Sequence, residues 1–358
     1  MSYFRYLLLP FSWVYDLVVI ARNYFYDTGV FKSTKFDLPV IVIGNLEVGG
    51  AGKSPMTEFL IQTLKPNYKI ATLSRGYGRK TQGFFYADKN SMAETVGDEP
   101  RQFKQKFPDV TVAVCESRVV GVEKLKDEHD VILLDDAYQH RALQPGFSIL
   151  LFDYGKLNQP RFLLPVGNYR EPFSGRKRAD VIVISKCPPQ LSAENQQQIK
   201  QQMLLLPHQN LFFTSIVYQG FKPFTPLADA SFTDQKSVVF LLTGIANPQP
   251  LLQHLRKQFE AVYLHKYPDH HQFTIKNISK LVADFNNCTT DKKVIITTEK
   301  DAQRLQEPAL QKALAGLPVF VAPIGLNFLN NEASAFKQLI ENYVRKYQKN
   351  NRLHTKPD

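Results

Sequence analysis

Short β-branched apolar runs alternate with loops and helical-period segments through the first half of the chain. The runs Val40–Ile43, Lys69–Leu73, Val110–Val114, Val131–Leu134, Ser148–Phe152 and Val181–Ser185 read as strands. Several are continuously apolar, the pattern of parallel strands buried on both faces. From Val40 to about Lys186 the repeat of strand, loop and helix predicts a doubly wound, mostly parallel α/β domain. Ligands of such domains sit at the carboxyl ends of the strands. After Pro188-Pro189 the pattern shifts. Gln190–Gln202 has apolar residues at helical spacing, and Leu211–Phe221 reads as extended. A second block follows: strand Ser237–Thr243, helix Pro250–Phe259, strand Ala261–Leu264, helix Ile275–Phe285, and strands Val294–Thr298 and Val319–Ala322. It predicts a smaller α/β domain of roughly a hundred residues. Ala333–Lys349 predicts a terminal helix running into a basic tail with Arg345, Lys346, Lys349, Arg352 and Lys356. The expected units are therefore 1–30, 31–210, an extended linker 211–225, 226–332 and 333–358. No internal repeat of fixed period is present.

The N-terminal pattern differs from the rest. Met1–Tyr26 holds nine aromatics, among them Trp13, the one Trp of the chain. On a helix, Ser12, Asp16 and Asn23 share one narrow stripe, and Leu7, Phe11, Val14, Val18, Ala21 and Phe25 cover the opposite side. Two structures suit this pattern. One is an amphipathic helix lying in a membrane interface, with aromatics at headgroup depth. The other is a helix packed on the core. A signal peptide is disfavoured: Arg5 is a weak n-region, Pro10 and Asp16 interrupt the apolar stretch, and no A-x-A site follows. No stretch approaches the ~20 apolar residues of a spanning helix.

With 358 residues, 44% hydrophobic, the chain is long for one core, and two domains are expected. Its net charge of +11 favours anionic partners such as nucleotides, nucleic acid or an anionic membrane. No nucleic-acid-binding motif is present. The three cysteines, Cys115, Cys187 and Cys288, form no C-x-x-C pair or zinc spacing, which suits a reducing compartment.

The strongest chemical signal is Gly44-Asn45-Leu46-Glu47-Val48-Gly49-Gly50-Ala51-Gly52-Lys53-Ser54-Pro55, between a strand and a helix from Met56 to Leu64. That layout is a phosphate-binding P-loop. Gly49, Gly50, Ala51, Gly52 and Pro55 shape the turn and the helix start. Lys53 reaches the β/γ-phosphates of a nucleoside triphosphate, and the Ser54 hydroxyl holds Mg²⁺. The strict pattern puts glycine where Glu47 stands, so the match is to the loop's second half and its context. Val131–Leu134 followed by Asp135-Asp136 is a Walker-B-type strand end, whose carboxylate approaches the Mg²⁺. Either Asp135 or Asp136 could serve; adjacent strand side chains point oppositely, so one faces the metal directly.

Polar motifs follow several strand ends. Asp136–Arg141 brings Gln139 and His140, which could orient phosphate or substrate or lie in an ordinary solvated loop. Ser74-Arg75-Gly76-Tyr77-Gly78-Arg79 can present guanidinium groups to an anion. Gly97-Asp98-Glu99-Pro100 places Asp98 at a helix start, as a cap or as a catalytic carboxylate. Asn168–Pro172 with Arg176-Lys177-Arg178 could bind a second phosphate. Tyr267-Pro268-Asp269-His270-His271 lacks the further ligands of a zinc site, and one His could act in acid/base chemistry.

Taken in order, these motifs resemble the tetraacyldisaccharide 4′-kinase family, the membrane-associated kinases of lipid A biosynthesis. The matching pieces are Gly44-Asn45, Val48–Pro55, Ser74–Tyr77, Gly97–Pro100, Asp135–His140, Arg170-Glu171-Pro172, Asp269-His270 and Thr298-Glu299-Lys300-Asp301. The resemblance implies a P-loop NTPase-type fold with two α/β domains closing over ATP. It implies transfer of the γ-phosphate to the 4′-hydroxyl of a tetraacylated glucosamine disaccharide 1-phosphate. The setting it implies is peripheral, at the cytoplasmic face of the bacterial inner membrane. By that resemblance Asp98 is the catalytic base and His270 its partner, Lys53, Ser54 and Asp136 serve phosphate and Mg²⁺, and Arg75, Gln139, Arg170 and Glu171 are active-site positions; Tyr77 and His140 belong to the same motifs. Glu47 and Ala137 depart from the family pattern, and Glu47 would add negative charge near the phosphates. A regulatory GTPase would need Asn/Thr-Lys-x-Asp where Ser185-Lys186-Cys187-Pro188 stands. A membrane-associated P-loop ATPase of partition or chaperone type is the alternative; its extra loop lysine is replaced here by Val48.

Overall fold

The computed structural model describes residues 7–229 and 236–354, with side chains to 347. The first residues of the N-terminal segment and, in the basic tail, the side chains of Lys349 and Arg352 and all of Lys356 lie outside the described residues. The strands are β1 Val40–Asn45, β2 Ile70–Ser74, β3 Phe85–Ala87, β4 Thr111–Val114, β5 Val131–Asp135, β6 Phe147–Asp153, β7 Val181–Ser185, β8 Asn210–Tyr218, β9 Lys222–Pro223, β10 Val238–Thr243, β11 Ala261–Lys266, β12 Lys293–Thr298, β13 Val319–Ala322 and β14 Ile324–Phe328.

The larger sheet has nine strands in the order β14-β8-β7-β6-β1-β5-β2-β4-β3. Its interior pairings are parallel, and only the edges β3 and β14 run antiparallel. Period-2 alternation divides its residues between two cores. From β1, Val40 and Val42 enter one core with Val122, Leu125, Ile199 and Met203. Ile41 and Ile43 enter the other with Met56, Leu60, Ile61 and Leu64 of the helix Lys53–Leu64. Helices thus cover both faces, as the apolar runs predicted. The smaller sheet, β11-β10-β12-β13-β9, repeats the plan. Phe240 and Leu242 pack against Ile278, Leu281 and Phe285, and Val239 and Leu241 against Leu251, Leu252 and Leu255.

The division of the chain differs from the expected linker and boundaries. Asn210–Tyr218 is a full strand of the larger sheet, not part of a linker at 211–225. β14, expected within the second unit, returns to pair antiparallel with β8, Ile324 opposite Tyr218. The second domain is therefore an insertion between β8 and β14. The helix Ala333–His354 closes the larger domain, with Phe336, Ile340 and Val344 buried against β1 and β6 residues. Gly and Asn in Ile324-Gly-Leu-Asn-Phe328 break the β-branched signal, which is why the sequence pattern leaves this strand unmarked.

The N-terminal helix runs Leu9–Asp27. Its polar side faces the protein: the Ser12 hydroxyl donates to the Leu163 carbonyl at 3.0 Å and Tyr15 to that of Arg170 at 3.0 Å. Phe11, Trp13, Val14, Leu17 and Val18 are exposed, Trp13 at 69%. Among the described residues no helix is long and apolar enough to cross a membrane.

Phe336 tests the assignment of the last helix. Its ring lies 4.7 Å from that of Phe328 and 5.2 Å from that of Phe212. Phe336→Ala should cost about 3–5 kcal/mol, read as a lower denaturation midpoint of the larger domain.

Candidate active site

The P-loop turns at the end of β1. Gly49 has φ +102° and Gly52 φ +85°, values that a side chain opposes, and Gly52 caps the helix that begins at Lys53. Other lysines hold the loop's carbonyls: Lys156 donates to Val48 O at 3.3 Å, and Lys186 bonds Gly50 O and Asp153, the latter at 2.8 Å. Glu47, the residue that departs from the strict pattern, is drawn into the protein. It is buried against Tyr169, with Lys156 at 3.7 Å, and burial raises its pKa against the pull of Lys156.

Lys53 Nζ donates to Asn45 Oδ1 at 3.0 Å and lies 3.4 Å from Asp136 Oδ1. Ser54 Oγ donates to Glu99 Oε1 at 2.9 Å. Asp135 is buried. Its Oδ1 accepts from Thr57 at 3.1 Å, and its Oδ2 has no hydrogen-bond partner. Burial, with Glu99 nearby, pushes the Asp135 pKa up. Burial acts the same way on Asp136 and Glu99, but cations win. Lys53 and Arg170 hold Asp136 low, and Lys300 and Lys53 hold Glu99 low. Asp136 has φ +48°, so the chain leaves the strand there and the alternation that separates adjacent side chains no longer applies. Asp136 is engaged by Arg170 at 2.9 and 3.3 Å. The orphan carboxylate oxygen is on Asp135. With the Ser54 hydroxyl and Glu99 it forms an oxygen-only donor set that fits a hard divalent cation better than a softer metal. Among the described residues no group of three or more His, Cys, Asp or Glu could hold a metal alone, so the fit depends on the hydroxyl and on phosphate oxygens.

Gln139 donates to Asn45 O at 2.9 Å and to Glu171 Oε1 at 2.8 Å. Glu171 is buried and accepts from Arg178 at 2.7 Å and Asn23 at 3.4 Å. Arg22 bonds the Gln139 carbonyl, so the N-terminal helix touches the loops that carry Gln139, Arg170 and Glu171. Arg75 and Tyr77 are exposed at the cleft edge, and the Tyr77 ring lies 5.3 Å from that of His270. His140 is placed differently: its Nε2 accepts the Arg118 backbone N–H at 3.3 Å, which makes it a support of that turn.

Asp98 opens the helix Asp98–Lys106. His270 Nδ1, from the second domain and with φ +57°, lies 3.4 Å from Asp98 Oδ2. Arg304, also from the second domain, donates to the same oxygen from Nε at 2.8 Å and Nη2 at 2.6 Å. Burial raises the Asp98 pKa, yet His270 and Arg304 together bring it below the ordinary carboxylate value. The sequence reading missed Asn45 as a hub, Glu99, Arg118, Lys300 and Arg304 as site groups. Asn45 and Glu99 adjoin residues it selected, and Arg304 stands one helical turn beyond Asp301.

Burial first, then Arg118, Arg22 and Arg75, lowers the His140 pKa from 6.5 to about 4. The unfolded chain therefore takes up this proton first as pH falls. The stabilisation is complete above pH 6.5 and is lost towards pH 4. Allowing for partial exposure, His140→Gln should remove about 1–2 kcal/mol of that acid-dependent loss. Paired urea titrations at several pH values measure the difference.

Comparison with known proteins gives the family. The sequence model of the tetraacyldisaccharide-1-P 4′-kinase family matches residues 4–345. The tetraacyldisaccharide 4′-kinase of Phocaeicola vulgatus is 40% identical over 351 residues, covering 96% of this chain and 96% of its own. That of Flavobacterium johnsoniae is 42% identical over 350 residues, covering 96% and 98%. Among solved structures, LpxK from Aquifex aeolicus in complex with ATP superposes with a TM-score of 0.72 at 26% identity, covering 95% of this chain and 99% of that one. The chain belongs to the tetraacyldisaccharide 4′-kinase family.

Proposed function

We propose that this protein transfers the γ-phosphate of ATP to the 4′-hydroxyl of a tetraacylated glucosamine disaccharide 1-phosphate, a step of lipid A biosynthesis. It does so as a peripheral enzyme at the cytoplasmic face of the inner membrane. The observation that supports this reading best is the meeting of two half-sites across the cleft. The P-loop, Lys53 and Ser54 stand on one side, and Asp98 meets His270 at 3.4 Å one residue from Glu99, which binds Ser54.

Lys53 takes the β/γ-phosphates in place of its present contacts with Asn45 and Asp136. Ser54, Glu99 and Asp135 would hold Mg²⁺, which would supply neutralisation of phosphate charge. Asp136 keeps Arg170 aligned through its two carboxylate oxygens. Arg170, turned into the cleft, adds a second cation for the charge on the transferring group. Glu171 fixes Gln139 and Arg178 rather than meeting phosphate itself, since its oxygens accept from both. Asp98 draws the proton from the acceptor hydroxyl, with His270 beside it to take the proton on. Arg75 and Tyr77, exposed at the cleft edge, suit the sugar or the 1-phosphate of the acceptor.

The N-terminal helix suits an acceptor held in a bilayer. Its polar stripe is spent on the protein, and its apolar and aromatic residues face outward, the arrangement of an interfacial helix.

Transfer of label from ATP to the disaccharide 1-phosphate is the direct test; an acceptor lacking the 4′-hydroxyl should receive none, and labelling of that acceptor would refute the site of transfer. Lys53→Ala should lower turnover at least ~10²-fold, and wild-type turnover in that variant would remove the P-loop from the mechanism. Deleting residues 1–26 should release the protein from anionic vesicles and raise KM for lipid-embedded acceptor, while Trp13 fluorescence in the full chain should respond to vesicles. Complete sedimentation of the truncated protein at high salt would place the membrane contact elsewhere.

A further inference from the structure

One short helix of the second domain, Glu299–Arg304, sends its polar groups into the first. Glu299 Oε1 accepts from Lys106 at 2.8 Å, the Gln303 carbonyl accepts from Arg101 at 2.8 Å, and Lys300 pairs with Glu99. Arg304 reaches furthest into the chemistry, with two donors on Asp98 Oδ2 at 2.8 and 2.6 Å. Its side chain is fully buried. Its remaining donors are anchored within its own domain, to Asp301 Oδ1 at 3.0 Å and Gly244 O at 3.1 Å. Asp301 is held in turn by Thr243 at 3.1 Å and Thr298 at 2.7 Å. The guanidinium is therefore set before it meets Asp98, and its planar fork loses little freedom on pairing.

We propose that Arg304 is the positioning residue of the base: it fixes the Asp98 carboxylate through Oδ2, leaves Oδ1 to the acceptor hydroxyl, and makes the base competent only when the second domain is closed on the first. The inference rests on Asp98 being the base. His270 alone would be a loose partner. Its Nδ1 is 3.4 Å from Asp98 Oδ2 and 3.3 Å from Arg304 Nη2. Protonated, Nδ1 donates to Asp98; unprotonated, it accepts from Arg304. Arg304 thus seats the imidazole before Nδ1 takes a proton, and Asp98 seats it afterwards. In the reaction the hydroxyl O–H breaks and its proton passes to Asp98 as the oxygen bonds the γ-phosphorus. The γ-phosphorus bond to the ADP oxygen breaks, with its electron pair leaving on ADP. Asp98 then hands the proton to His270 Nδ1.

Arg304 also makes Asp98 a weaker base, so its value lies in geometry. The charged groups facing Asp98 are His270 and Arg304 from the second domain and Arg101 from its own helix. The test is steady-state transfer with Arg304→Gln, Arg304→Lys, Asp98→Asn and the Asp98→Asn/Arg304→Gln double variant, with KM for both substrates and ATP affinity measured alongside. Arg304→Gln should lower kcat about 10²-fold and change ATP affinity less than about threefold. Arg304→Lys should recover at least about fivefold of that loss, because it keeps the charge but not the fork. In the Asp98→Asn background the Gln substitution should add less than about threefold. Near-normal kcat in Arg304→Gln with an inactive Asp98→Asn would overturn the role of Arg304 and leave the base standing. Wild-type turnover in Asp98→Asn would overturn the base and this inference with it. Fully multiplicative losses in the double variant would also overturn it. Should Arg304→Gln fail to bind ATP, Arg304→Lys decides alone: unchanged kcat in that variant counts against the proposal.

Discussion

Four carboxylates, Asp98, Glu99, Asp135 and Asp136, are crowded into one partly dry cleft, and the protein must balance their charge to exist in this form. An unpaired buried charge costs several kcal/mol even after relaxation. The balancing cations come from both domains. Lys53 and Arg170 of the first serve Asp136, while Lys300 and Arg304 of the second serve Glu99 and Asp98. The second domain therefore supplies charge neutralisation as well as shape. Opening the cleft would return Asp98 and Glu99 to water and separate Asp98 from His270 in one event. Asp135 keeps one buried carboxylate oxygen without a partner, on the P-loop side of the cleft.

The N-terminal helix obeys the same accounting at the surface. Its apolar side faces outward and its polar groups point inward, the reverse of an ordinary surface helix. Ser12, Tyr15, Arg22 and Asn23 do this, and three of their contacts fall on the Gln139 and Arg170–Glu171 loops. An acceptor drawn from a bilayer at this helix would arrive beside Arg170 and Glu171, not at a remote face.

Much of this was legible in the sequence, for reasons that separate cleanly. Runs such as Val131–Leu134 and Val181–Ser185 are long, apolar and β-branched, so strand identity followed from composition alone. The P-loop followed from local order, because strand, glycines, Lys-Ser and helix are contiguous. Asp98 and His270 were reached through family resemblance, and their roles still rest on it. Contacts between distant positions left no local trace: Arg304 meets Asp98 across 206 positions. Adjacent acids were equally opaque. Strand alternation would separate Asp135 from Asp136, but the left-handed backbone at Asp136 cancels that rule. The neighbours of Glu47, Tyr169 and Lys156, likewise come from elsewhere in the chain.

The pairing of β8 with β14 has a mechanical consequence. The chain enters and leaves the second domain through two neighbouring strands, and Gln219 N still bonds Pro323 O at 2.9 Å where they pass into it. A single strand could twist and swivel freely. A hydrogen-bonded ribbon resists shear in its plane and flexes across its thin direction. The second domain is thus hung on a strap rather than a tether, and any travel would be confined to a narrow arc. Along such an arc the helix Glu299–Arg304 would approach the helix Asp98–Lys106 from one direction, so the backbone would guide alignment of the two half-sites before any side chain makes contact.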